Sequence, residues 1–181
     1  MITIEHVVGI DLSLTSTGIA VKTLNLAGGY TITIPSTGHR GDTWHTRHKR
    51  INTIVGHILT HIPVGPALIA LEAPAYSSNT GSVWDRAGAW WRIYDLLADE
   101  HTVVPVLPNL RAKYATGKAN ASKDAVLAAA VRRYPDWDIT NNNTADALIL
   151  AAIGARLAGE PFDDLPLTHL DALKTLELPH V

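Results

Sequence analysis

The run VVGID at residues 7–11 is a short β-rich segment that closes on a carboxylate, and most of the architecture can be worked out from it. It belongs to a longer run at 4–11 and is followed by turn-forming residues, Ser13 to Ser16, then by β-rich runs at 16–23 and 29–35, the last two separated by Gly28-Gly29. Three such runs with short connections read as an antiparallel meander. Next comes TWHTRHKRINTIVGHILTHI, which sets Trp44, Ile51, Ile54, Val55, Ile58 and Ile62 near helical spacing and leaves His45, Arg47, Lys49 and Arg50 toward the polar side. The apolar run ALIALE at 67–72, stopped by Pro74, suits a buried strand flanked by helices.

A second helix is expected over 82–99, a strand over 102–108, a basic loop LRAKYATGKANASK, an Ala-rich helix DAVLAAAVRRY halted by Pro135, and a long helix NNNTADALILAAIGARLAG. In that last helix Asn or Thr is available as N-cap, and Gly159 stands just beyond its end. The predicted class is α/β: a mixed five-stranded sheet, antiparallel meander plus parallel strands, with helices on both faces. A right-handed helical crossover would make strands one and four parallel neighbours. Residues 1–159 read as one domain, and the acidic tail at 160–181 has room for one short helix near 168–177.

Asp11, Glu72 and Asp146 each terminate or interrupt an apolar run, which sets them at the rim of a core where a charge needs a counter-charge. Adjacent strands lie ~5 Å apart, so Asp11 and Glu72 at neighbouring strand ends can face one position. Asp146, placed in the first turn of the last helix, can approach the same point. The simplest counter-charge for three converging carboxylates is a divalent ion, and hard oxygen ligands select Mg²⁺ or Mn²⁺. Such ions support phosphodiester hydrolysis with water as nucleophile. Taken singly, each acid also suits a structural role: a turn former, a strand-end charge, a carboxylate near a helix N-terminus.

The 181 residues suffice for one full core, and 46% apolar with 18% charged residues is ordinary globular composition. The absence of cysteine excludes disulfides, thiolate zinc and a cysteine nucleophile. No apolar stretch reaches a membrane-spanning length. MITIEHVVGID lacks a signal peptide's basic region and cleavage site, so a cytoplasmic protein, bacterial or of a bacteriophage in its host, is expected. A net charge of −2 gives no global pull toward nucleic acid, which leaves local patches to steer it. Arg111, Lys113, Lys118 and Lys123 form such a patch, as candidate contacts to phosphates. ATGK in that patch is no P-loop, since the upstream glycine is missing and Ala119 replaces the Ser or Thr. The pairs His57/His61 and His45/His48 lack an HExxH context and read as a solvated or DNA-facing side of the first helix.

The segments GIDLSLTSTGIAV, ALIALEAPAY, ATGKANASKDAV and NTADALILAAIGARL, in this order, resemble the motifs of RuvC-type crossover junction endodeoxyribonucleases of the RNase H-like superfamily, over residues 5–158. The resemblance implies a homodimer that resolves branched DNA, above all four-way (Holliday) junctions, using Mg²⁺ or Mn²⁺ and leaving 5′-phosphate and 3′-hydroxyl ends. It carries the metal-binding acids onto Asp11, Glu72 and Asp146, and an active-centre lysine onto Lys123. It also suggests Tyr76, within APAYSSNTGSVWDR, as an aromatic near the crossover, one position from the usual place. One metal position departs from the pattern: where an aspartate is common, this chain has neutral Asn143. Forks or flaps are alternative substrates. GIDLSLTSTG also resembles the phosphate-binding hairpin of actin-like proteins and sugar kinases, whose duplicated domain does not fit in 181 residues. Trp84, Trp90, Trp91 and Tyr94 are expected to pack in the core or at a dimer contact rather than to stack on bases.

Overall fold

Side-chain alternation along the first strand sorts the molecule into layers. Val7 and Gly9 look to one side of the sheet and Val8 and Ile10 to the other, as a period of two requires. The computed structural model describes residues 3–74, 82–176 and 178, and its sheet runs β3-β2-β1-β4-β5. β1 (His6–Asp11), β2 (Ser16–Thr23) and β3 (Tyr30–Pro35) form the expected antiparallel meander. β4 (Ala67–Glu72) lies parallel to β1, with Gly9 opposite Ala70, and β5 (Thr102–Val106) lies parallel to β4.

Helices cover both faces. One carries α1 (Trp44–Leu59) and α2 (Val83–Ala98), whose Ile54, Val55, Ile58, Trp90, Ile93 and Leu97 pack on Val8, Ile10, Ile69 and Leu71. The other carries α3 (Pro108–Thr116), α4 (Lys123–Arg133) and α5 (Asn142–Leu157), packed on Val7, Ala20, Leu68, Ala70, Val104 and Val106. α5 is buried along nearly its whole length and lies across β1, β2 and β4. Two glycines make that approach possible. A Cβ on Gly9 would stand 1.9 Å from the Ala147 carbonyl oxygen, and one on Gly18 would stand 2.0 Å from that of Asn143. Asn141 caps α5, accepting from the Thr144 amide at 3.0 Å while the Thr144 hydroxyl accepts from the Asn141 amide.

Three expectations need correction. The stretch 110–123 is not one loop, because its first half is helix α3, with Pro108 at its start and Gly117 (φ +78°) at its end. Gly117 therefore serves as the helix stop, and only Lys118 to Ser122 connect α3 to α4. Trp44 does not join the apolar side of α1; it is 75% exposed, stacked with the Arg47 guanidinium 4.2 Å from its ring centre. Arg47 and Arg50 leave the polar side instead. Arg47 binds Asp85 of α2, and Arg50 donates to Ser36 and to the Leu14 carbonyl, so both tie elements together.

The tail forms a short helix α6 (Leu167–Leu170) and a 3₁₀ turn at Asp171–Leu173. It packs on α3 through His169, which bonds the Tyr114 carbonyl at 2.8 Å, and through fully buried Ala172. Asp163 accepts from the hydroxyls of Tyr114 (2.9 Å) and Tyr134 (2.6 Å) and pairs with Arg156 (2.6 Å), so the tail is stitched to three helices. Among the described residues no helix is long and apolar enough to cross a membrane.

Candidate active site

The face on which α5 lies also decides where the acids point. Asp11 continues the row of Val7 and Gly9, and Glu72 continues the row of Leu68 and Ala70, so both strand-end carboxylates turn toward α5. Asp146 reaches the same place from above, 3% exposed. It is the fifth residue of α5, one turn deeper than expected, which is why it is buried and why the charge of the helix end does not account for it. The end of β4 is pinned, with the Glu72 carbonyl accepting from Trp90 Nε1 at 2.9 Å and the Ala73 amide donating to the Val106 carbonyl at 2.8 Å.

Arg111 is the residue whose position sequence reasoning misplaced. Predicted as a phosphate contact on a basic loop, it is 7% exposed and points inward from α3. Its Nε donates to Glu72 Oε2 and its Nη1 to Asp146 Oδ1, a bridge across two of the three acids. Burial works against the Arg111 charge, yet Glu72 and Asp146 more than restore it and raise its pKa. Burial raises the Asp146 carboxyl to about 6, with Arg111 opposing and Glu72 adding to the rise. Asp11 is different. Burial and the charges of Glu72 and Asp146 push it up to about 8 against Arg111 and Lys123, and among the described residues no hydrogen bond or ion pair holds its carboxylate.

Asp11, Glu72, Lys123 and Asn143 line an open cleft of about 400 Å³, walled by the 12–14 turn, by Arg86, Ala87 and Trp90 of α2, and by Pro108. Lys123, the first residue of α4, is exposed there, while Ser122 caps the helix by accepting from the Ala125 amide. Asn143 Nδ2 donates to Ser16 Oγ at 2.8 Å, which leaves its amide oxygen as the donor atom for a cation. Arg86, which sequence reasoning passed over, adds a basic group to the opposite wall. The only signal was a cation one turn into a helix that follows an acid-bearing strand.

Lys113 and Lys118 stand apart from this cleft. Lys113 is half-buried and 3.8 Å from Asp171, whereas Lys118 is exposed in a second groove with Arg132, Arg133 and His169. Tyr76 lies outside the described residues. Of the aromatic group on α2, Trp90 is buried and stacks on Tyr94, while Trp84 and Trp91 are 82% and 63% exposed. His45, His48 and His57 are exposed on α1.

The oxygen-only donors suit a hard divalent ion, and the unpartnered carboxylate of Asp11 is the observation that fits one. As the side chains stand, no group of three or more acids or histidines among the described residues is arranged to hold a metal, and Arg111 already engages two of the three acids. The donor set therefore fits a cation on the Asp11 side better than a fully acid-lined cage.

No protein-family model matches this chain, and no curated protein does. Solved structures match along most of its length. The Thermus thermophilus RuvC structure is 16% identical at a TM-score of 0.61, covering 86% of this chain and 97% of that one. T. thermophilus RuvC in complex with Holliday junction substrate is 15% identical at a TM-score of 0.60, covering 96% and 98%. The chain has the RuvC-type, RNase H-like fold.

Proposed function

We propose that this protein is a metal-dependent, structure-selective endonuclease that hydrolyses phosphodiester bonds in branched DNA, acting on four-way junctions as a resolvase does. The observation that carries the reading is the convergence of Asp11 and Glu72, at the carboxyl ends of β1 and β4, with buried Asp146 of α5, where Asp11, Glu72 and Lys123 open to a cleft. Ligand sites of α/β sheets gather at such strand ends. The fold shared with a protein solved on a Holliday junction supports the same reading.

In this reading Asp11, Glu72 and Asn143 hold Mg²⁺ or Mn²⁺, with Asp146 completing the charge around it. When bound, the ion supplies Lewis-acid stabilisation of phosphoryl oxygen and a nucleophilic water at neutral pH. The chain's own part is positional. Arg111 fixes the carboxylates of Glu72 and Asp146 in one arrangement, and Lys123 sets a positive charge at the cleft mouth, where negative charge builds on the scissile phosphate. Arg86 faces it from the other wall, and Lys118 with Arg132 offers cations further out. Hydrolysis leaves 5′-phosphate and 3′-hydroxyl ends.

Resolution of a junction needs two cuts, which favours a homodimer. Trp84 and Trp91, seven residues apart and so on one side of α2, supply an exposed aromatic strip for that contact. Selectivity follows from branched geometry, because contacts to phosphates carry shape rather than sequence. The test is a panel of one four-way junction, one fork, one flap and one linear duplex, cut by a single preparation in Mg²⁺. Preference for the junction supports resolvase action and preference for fork or flap transfers the same chemistry to another substrate. Equal cutting of linear duplex contradicts the proposal.

A further inference from the structure

The buried guanidinium of Arg111 is unexpected in a centre meant to collect cations. It is no surface side chain that strayed inward: the buried side of α3 is Arg111, Ala112, Tyr114 and Ala115. Its planar fork meets one oxygen of Glu72 and one of Asp146, and its side chain is 8% exposed against 17% and 4% for theirs. No other acceptor is recorded for it among the described residues, so withdrawing it from the acids would strand a buried cation.

This placement changes the charge balance of the site. Asp11, Glu72 and Asp146 together carry three negative charges when ionised, and the position filled by Asn143 adds none. Arg111 cancels one of them from within and Lys123 at the rim offsets part of the rest, so the remaining negative charge calls for one divalent ion rather than two. A second divalent ion would meet a fixed guanidinium at the oxygens it needs, and like charges a few Å apart repel strongly even when partly screened.

We propose that Arg111 is a resident cation of the site, occupying the place of one metal ion, so that the protein binds one divalent ion per chain, on the Asp11 side. This rests on the metal-dependent reading above and specifies it. Arg111 is on this account a positioning residue: it holds Glu72 and Asp146 and sets how many ions the acids accept.

The test is Mn²⁺ binding to the protein without DNA, counted by electron paramagnetic resonance of free Mn²⁺ and by calorimetry, with circular dichroism and thermal melting to verify folding. The wild-type chain is expected to bind one Mn²⁺, lost in Asp11→Asn. Arg111→Met is expected to bind a second ion, or to bind the first at least about tenfold more tightly, while Arg111→Lys keeps one. Two ions per wild-type chain would overturn the inference and leave the metal-dependent nuclease intact. A folded Arg111→Met with unchanged stoichiometry and affinity would overturn it as well. No Mn²⁺ binding by the wild type overturns both readings together. Because the wild-type count decides by itself, the inference stays testable if Arg111→Met does not fold.

Discussion

Asp11 shows what a fold gives up in holding a buried carboxylate beside two others. Its carboxyl is pushed from 3.8 to about 8, first by burial and then by Glu72 and Asp146. A carboxyl whose pKa is raised on folding binds its proton more tightly in the folded state, so the folded state loses stability as pH climbs from the unfolded value through the folded one. Asp146, raised to about 6, adds to the lower part of that range. In EDTA the melting temperature should therefore fall between pH 5 and pH 8, and Asp11→Asn should remove much of the fall. Added Mn²⁺ should restore stability at pH 8 by binding the folded state alone. A flat profile in EDTA would mean that the acids are not crowded as described. Asp11, Glu72 and Asp146 were legible as interruptions of apolar runs, and strand parity makes Asp11 and Glu72 face the same helix. Arg111 was not, because charge in a sequence is read as exposure by default and nothing local says that two acids await it.

At the scale of elements, the meander, the parallel pairing of β1 with β4 and the long last helix were all readable from apolar runs and turn residues. Helix α3 was hidden by its own composition. PNLRAKYAT has no apolar stripe, since an arginine takes a place on its inner side, and only Pro108 before it and Gly117 behind it mark its ends. Trp44 was misread for the opposite reason: its spacing fitted the stripe, but it stands at the first position of α1, beyond the reach of the sheet. The packing of α5 depends on absent side chains. Gly9→Ala would drive a methyl into the Ala147 carbonyl and to 2.4 Å from the Ala151 amide, and backbone cannot yield as a side chain can. We expect a loss of at least about 3 kcal/mol, or failure to fold. Gly56→Ala on α1, where a Cβ meets open space, should instead stabilise by up to about 1 kcal/mol. Thermal melts of the two variants check both, and a stable Gly9→Ala protein would show that α5 does not lie on β1 as described.

For the whole molecule, the order of layers explains why the acids gather where they do. A sheet covered on both faces leaves only its edges and strand ends for function. β1 and β4 deliver two acids to one such end, α5 delivers the third, and α3 and α4 bring Arg111 and Lys123 to the same corner. The resemblance places Asp11, Glu72, Asp146 and Lys123 together, and the fold shared with T. thermophilus RuvC over 86% of the chain at 16% identity is a likeness of architecture rather than of side chains. The tail, by contrast, gave no hint in sequence that Asp163 would be drawn under Tyr114 and Tyr134, because its partners lie far away along the chain. The central claim is that the three acids form the hydrolytic centre of a branched-DNA nuclease. Its most direct test is single-turnover cleavage of a synthetic four-way junction in Mg²⁺ by the wild type and by folded Asp11→Asn. The account predicts site-specific cutting by the wild type and a rate lower by about 10³-fold or more in the variant, the loss expected when one strong electrostatic contributor leaves a catalytic site. Equal rates would contradict it.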